Sequence, residues 1–403
     1  MLDPLTPTRA RALLSPSPRV LLAAAASDGG ASQAATLPWS DVHWPTLLQL
    51  SAHERADAQL HQLLRSAPPG GVPADALAAS LARSRVASFR AAELADAAAL
   101  TCDALREASV DVLWLKGAAL AMQSPVGFGV RAMGDLDVLV EPGSAPMARA
   151  ALLAAGWRDG PHAPGYEAHH HAVPMVWRAG LRLELHTGVI PEPNPFARNS
   201  TTLWMSRGVL RRWEEREVRV LSAEWHAVHA SVHWSWNHEG AVGSWQYVRD
   251  MHELASRIPS WAAVAAHAEE LGAARPVGWG LWSAATLADA RIDQHVIADL
   301  RGAMRAGFGG LAEREWVLRA FQSPAASPSV RWSRYWWRRA MGGLGDAGGR
   351  WPWVAGRDAI QSGALDSDGE PDADSAGGAP ATRPGLLTRA AGWQRHLARV
   401  LSA

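Results

Sequence analysis

The sequence predicts an α+β fold, with a small mixed β-sheet core flanked by N- and C-terminal helical regions. Three observations carry that expectation. Residues 38–109 place apolar side chains at helical spacing. Between residues 110 and 195 the texture changes to short apolar or alternating runs, each stopped by Gly or Pro, as strands are. Beyond Pro195 the spacing is helical again.

The bulk numbers bound what such a chain does. At 403 residues it is long enough for two or three packed units. Lys plus Arg equal Asp plus Glu at 39 each, so the formal net charge is zero. No global field draws nucleic acid or an anionic membrane, and a polyanion site has to be local. Nucleic acid is therefore a disfavoured partner. Cys102 is the one cysteine, which excludes an intrachain disulfide and suits a reducing compartment. The Ala-rich run 20–26 is too short to read as a secretory signal. No 18 uncharged apolar residues run together, so no membrane span is expected and the expected location is cytoplasmic. The 21 tryptophans read as core and groove packing.

Taken in order, residues 1–37 are rich in Ala, Ser and Pro and read as a partly disordered N-terminus. In the helical region 38–109, residues 44–64 form one helix, broken by Pro68-Pro69-Gly70-Gly71. Residues 72–109 form a long or broken second helix with Leu77, Leu81, Phe89, Leu94, Leu100 and Leu105 as its apolar stripe. The core, 110–195, begins with Val112-Leu113-Trp114-Leu115, a buried strand running into a turn at Lys116-Gly117. A short helix over 118–123, a strand over 136–140 and a helix over 146–155 closed by Gly156 follow. Two strands over 173–177 and 181–186 are joined at Ala179-Gly180 as a hairpin. This order gives a small α/β unit with a mixed sheet. Residues 196–320 read as a helical domain with helices over 223–236, 244–256, 261–271 and 277–288. Residues 321–403 combine an Arg/Trp-rich segment, an acidic linker over 358–384 and a terminal helix over 386–401.

The chemistry concentrates in the core. In Gly134-Asp135-Leu136-Asp137-Val138 two aspartates stand two apart in an apolar strand, so both carboxylates point one way and Leu136 and Val138 the other. Crowded carboxylates repel and lose hydration, and a divalent cation relieves both costs. The competing reading, a solvated strand edge, sits poorly with such apolar flanks. Leu181, Leu183 and Leu185 alternate with Arg182, Glu184 and His186. If that strand lies beside the first, Glu184 becomes a third carboxylate on the same pocket; otherwise it is a surface residue. A glycine directly after a buried strand, as at Gly117, lets backbone amides approach phosphate, with Lys116 and the loop residue Arg131 as neutralising charges.

In order and spacing these elements resemble the nucleotidyltransferase superfamily that includes DNA polymerase beta and the aminoglycoside nucleotidyltransferases. More narrowly, the chain resembles a bacterial family of largely uncharacterised nucleotidyltransferases often found near peptide or exported-product biosynthesis genes. The likeness rests on Leu115-Lys116-Gly117, Arg131, the stretch Asp135 to Val140, and Glu184-Leu185-His186. His229, His233 and Tyr247-Val248-Arg249-Asp250-Met251 match its helical part. It runs from about Trp44 to about Ala288.

The resemblance implies that Asp135, Asp137 and Glu184 are catalytic and hold Mg2+ or Mn2+. It implies that Lys116, Gly117 and Arg131 bind the NTP co-substrate, with ATP the first choice, and that His186, His229, His233 and Asp250 line the cleft. The acceptor would be a hydroxyl or phosphate of a small molecule or peptide. Two alternatives stand beside this reading: an inactive binding module on the same fold, or a toxin-like enzyme modifying tRNA or protein. One departure bears on the choice. The superfamily places Ser or a second Gly after the turn glycine, where this chain has Ala118, and the stretch from Gly117 to Asp135 is longer than usual.

Three other features stand out. His169-His170-His171 reads as a solvated loop, of which one ring could reach nucleotide or acceptor. His226, His229 and His233 fall at i, i+3 and i+7 and share a helix face, suited to packing, to zinc or to cleft contact. The segment Arg331 to Arg339 interleaves cations with aromatics, as an amphipathic helix or a contact surface for a peptide or carrier partner does.

Overall fold

The computed structural model describes residues 6–304, except 27, 163–170, 192–193, 197–198, 239 and 241–242. The Arg/Trp-rich segment, the acidic linker, the terminal helix and His169-His170 lie outside the described residues.

The chain is α+β, as its texture predicts. Seven strands form one mixed sheet in the order β3-β4-β5-β2-β1-β7-β6. They are β1 (Leu113–Trp114), β2 (Asp135–Leu139), β3 (Arg158–Asp159), β4 (Met175–Val176), β5 (Arg182–His186), β6 (Gly208–Trp213) and β7 (Arg216–Leu221). β2 lies at the centre, antiparallel to β1 and parallel to β5. The expected hairpin is present, β4 pairing antiparallel with β5 around a turn in which Gly180 takes φ 70°.

The hairpin β6–β7 was not expected, because residues beyond 195 read as helical. β7 pairs parallel with β1, so the sheet continues past the boundary drawn at 195. Its signal is weak because Glu214, at φ 52°, holds the turn position usually given to Gly or Asn.

The N-terminal helices also differ from expectation. α1 (Pro7–Ala12) and α2 (Pro16–Ala23) are ordered helices, each opened by Pro in its first turn. α1 packs on α12 (Ala274–Ala288), and α2 packs on α10 (Ser244–Ala255) and α12. Composition alone hides this, since the burial of Val20, Leu21 and Ala24 draws on partners more than 200 residues away as well as on nearby chain.

The single helix expected over 44–64 is two, α3 (Trp44–His53) and α4 (Asp57–Arg65). Arg55 interrupts it at φ 53°, with Ala56 N–H donating to the Ser51 carbonyl and Arg55 N–H to Ala52. That is a Schellman closure, with Arg where Gly is usual. α5 (Ala74–Glu107) is one unbroken helix of 34 residues, about 50 Å long. Leu81 and Phe89, expected in its apolar stripe, are exposed. The remaining helices are α6 (Lys116–Ala121), α7 (Ala145–Ala154), α8 (Thr201–Ser206), α9 (Ala223–Val232), α11 (Trp261–Leu271) and α13 (Gln294–Met304). One continuous core runs from Ala10 to Leu300, and Trp114, Trp157, Trp204, Trp245 and Trp279 are fully buried in it. Among the described residues no helix is long and apolar enough to cross a membrane.

Candidate functional site

The register of β2 against β5 builds the site. Asp137 is paired with Glu184, Asp135 with Arg182 and Leu139 with His186. Period-two alternation then puts Asp135, Asp137, Glu184 and His186 on one face. Leu136, Val138, Leu183 and Leu185 sit on the other, fully buried. β1 brings the cation. Leu115 N–H donates to the Asp137 carbonyl at 3.0 Å, continuing the ladder, so Lys116 lies beside Asp137. Lys116 opens α6 in the left-handed region at φ 47°, a conformation costing on the order of 1–3 kcal/mol for a residue with a side chain. Its Nζ reaches 2.7 Å from Asp137 Oδ1 and 3.9 Å from Glu184 Oε2.

The three acids do not behave alike. Burial, reinforced by Asp137 and Glu184, pushes the half-buried Asp135 carboxyl up to about 7. Burial acts the same way on Asp137, but Lys116 and His186 outweigh it and hold that carboxyl below its ordinary value. His186 Nε2 lies 2.9 Å from Asp137 Oδ1. Although burial opposes it, hydrogen bonding to Asp137 and Glu184 raises the His186 imidazole above its usual value. Three carboxylates on one face, with a single ammonium drawn among them, is a pocket that fits a divalent cation.

The glycine turn is built differently from expectation. Arg131 is not on an open loop; it is buried, with Nε 2.6 Å and its second terminal nitrogen 3.0 Å from the two Asp250 oxygens. Burial favours the neutral form of Arg131, but this bidentate pair outweighs it and keeps the guanidinium charged. Asp250 therefore anchors Arg131 rather than facing the carboxylates. Gly117 is required by that pair: a Cβ there would lie 2.5 Å from Met133 Sδ and 2.7 Å from an Arg131 nitrogen. Gly117→Ala is expected to cost about 2 kcal/mol by overpacking, read as a lower denaturant midpoint at unchanged slope.

α9 packs on α6 and β7 and presents His226 and His229, both buried. His229 is within electrostatic reach of Lys116, His186 and Asp137, and burial holds it well below its ordinary pKa. Among the described residues neither of its ring nitrogens has a hydrogen-bond partner. His233 begins a π-turn (His233–Asn237), where its Nε2 lies 2.8 Å from His238 Nε2. Burial and Lys116 depress it as well.

Sequence reasoning missed two residues here, Arg55 and Arg90, and read a third, His171, mainly as loop. Arg55 lies against Gly134, where a Cβ would overlap its guanidinium, and its charge acts on Asp135. Arg90 of α5 also senses Asp135 and donates to the Gly180 carbonyl. His171 forms a β-bridge with His186 instead of belonging to a solvated loop. Cations drawn from a helix end and a long helix carry no local motif, so only the fold reveals them.

A family described as uncharacterised nucleotidyltransferase has a model that matches residues 40–289. No curated protein and no solved structure matches the chain.

Proposed function

We propose, from the premise that the chain belongs to the family of uncharacterised nucleotidyltransferases, that it transfers a nucleoside monophosphate from an NTP to a hydroxyl or phosphate of a small molecule or peptide. The observation that carries this reading is Asp137 set directly beside Glu184 on parallel strands, with Asp135 on the same face. In this reading Asp135, Asp137 and Glu184 would hold Mg2+ or Mn2+, in the manner of the polymerase-beta-like enzymes. When bound, the cation supplies charge neutralisation across the phosphates and a lowered pKa at the acceptor hydroxyl. The acceptor oxygen bonds to the α-phosphorus as the bond to the leaving pyrophosphate breaks.

The chain's own residues do the positioning. His186 and Lys116 fix the rotamer of Asp137. Arg131, clamped by Asp250, backs the Gly117 turn. Lys116, with Arg55 and Arg90 near Asp135, supplies positive charge for the triphosphate of the NTP, with ATP the first candidate. His229 and His233 border the acceptor side. The helical regions before and after the sheet act as its walls, and the region from 196 onward contributes α9.

Arg55 separates stability from binding. Arg55→Gly relieves a left-handed residue and is expected to raise stability by about 1 kcal/mol. The same change should shrink the NTP-dependent melting shift, because a phosphate-facing cation is lost. An NTP-dependent melting shift undiminished in Arg55→Gly would remove Arg55 from the nucleotide site.

The activity is tested by incubating the chain with each labelled NTP, Mg2+ and cell extract, then identifying by mass spectrometry what gains a nucleotide. A second reading, a binding module without turnover, is favoured by one observation: the Lys116 ammonium already neutralises Asp137, and Ala118 lacks a hydroxyl for phosphate. NTP-dependent stabilisation with no labelled product would select it.

A further inference from the structure

We infer that His171, Glu184 and His186 form a second cation site, selective for a borderline transition ion such as Zn2+ or Co2+ over Mg2+. The β-bridge between His171 and His186 sets the two rings on one sheet face, with centroids 4.2 Å apart, and two-residue spacing puts Glu184 on that face too.

The distances identify the ligand. His171 Nδ1 lies 3.7 Å and His186 Nε2 3.5 Å from the same oxygen, Glu184 Oε2. All three donor atoms fall within 4.8 Å of one another. Those separations are too long for strong hydrogen bonds. Two ligands about 2.0–2.1 Å from one tetrahedral ion stand ~3.3 Å apart, so small movements close the set around a metal. Glu184 and His186 are nearly inaccessible and His171 is partly buried, so the donors are already withdrawn from bulk water.

The chemistry of the donors sets the selectivity. Mg2+ prefers oxygen in near-ideal octahedra and keeps several waters, whereas imidazole suits Zn2+ and its tetrahedral stand-in Co2+. Asp135 and Asp137 offer oxygen alone, and Lys116 Nζ lies 3.9 Å from the Glu184 Oε2 that the histidines also face. The two histidines lie around the same Glu184 oxygen, so the carboxylate would join a hard site to a softer one. Loading requires His186 Nε2 to exchange its 2.9 Å contact with Asp137 Oδ1 for a metal bond. Lys116, 2.7 Å from that oxygen, retains Asp137 when the imidazole lets go. Three protein donors leave a fourth position for water or an acceptor hydroxyl. The site goes beyond nucleotidyl transfer, because ion binding is measured without NTP.

The test is titration of the metal-free full chain with Co2+, followed by its visible d–d absorption. One equivalent is expected to bind with an intense tetrahedral-type spectrum, to be displaced by Zn2+, and to survive a roughly thousandfold excess of Mg2+. His171→Phe keeps a ring and removes the donor, and should weaken Co2+ binding on the order of a hundredfold or more. Asp135→Asn should leave Co2+ binding in place while abolishing Mg2+-dependent NTP stabilisation, which separates failure of this site from failure of the transfer reading. X-ray absorption on the Zn2+-loaded wild type needs no variant and should show two imidazoles at the ion. An all-oxygen shell, displacement by Mg2+, or unaltered Co2+ affinity in a folded His171→Phe chain would overturn the site.

Discussion

Asp135→Asn is expected to melt above the wild type at pH 8 in the presence of a chelator, while nucleotidyl transfer falls by about a thousandfold or more. The two effects have one origin. Asp135 is the acid whose charge the folded protein tolerates least, since burial, Asp137 and Glu184 all disfavour it and lift its carboxyl to about 7. Its folded pKa therefore lies above its unfolded one. The stability it contributes is present below the unfolded value and is lost as pH rises through about 7. At pH 8 the metal-free wild type carries that repulsion, and asparagine removes it. With a cation bound the charge becomes an asset. The metal's stabilisation is worth several kcal/mol, and each 1.36 kcal/mol is about tenfold in rate.

Asp137→Asn should behave oppositely toward stability, losing on the order of 3 kcal/mol, because Lys116 and His186 both lose their charged partner. A pair of variants equally destabilised, or an Asp135→Asn chain with turnover within tenfold of wild type, would show that the acids are structural.

How much of this was legible in the sequence follows from where each signal lives. The alternations Asp135-Leu136-Asp137 and Leu183-Glu184-Leu185 are local, and a strand turns a local alternation directly into a shared face. Gly156, at φ 98°, closes α7 as glycine is expected to. The left-handed conformations of Arg55, Lys116 and Glu214 were not legible, although the turn at Lys116-Gly117 was, because each residue carries a side chain and is held by surroundings that composition does not show. One of them splits a helix, another makes the hairpin β6–β7 and the third aims the lysine. The clamp from Arg131 to Asp250 spans 119 residues, so no window along the chain contains both ends. His171 read as loop because its partner strand lies fifteen positions on, and the bridge to His186 exists only in the folded sheet. Period-two patterning located the acids, and tertiary pairing decided what surrounds them.

The buried histidines give the other large effect. His229→Phe should flatten the acid side of the stability curve, gaining on the wild type progressively as pH falls below about 6.5. Burial, with His226 and Lys116 nearby, depresses the folded pKa of His229 well below its ordinary value. The unfolded chain thus takes up a proton that the native one refuses, and stability present above pH 6.5 is lost as pH falls. Phenylalanine has no proton to bind. It preserves the edge-on contact with Trp204, 5.7 Å between ring centres, and leaves no hydrogen bond broken, since neither ring nitrogen has one. The wild-type curve itself sums opposing terms, because Glu54 and Asp135 are both lifted to about 7 and hold protons in the native state. Only the difference between variant and wild type isolates the imidazole. It is read from urea midpoints at several pH values, and an unaltered difference from pH 7 to 4.5 would mean that His229 titrates normally. Turnover at neutral pH answers the remaining question. If His229→Phe keeps full stability and loses activity, the ring belongs to the acceptor wall. If both persist, its place is in packing α9 against Trp204.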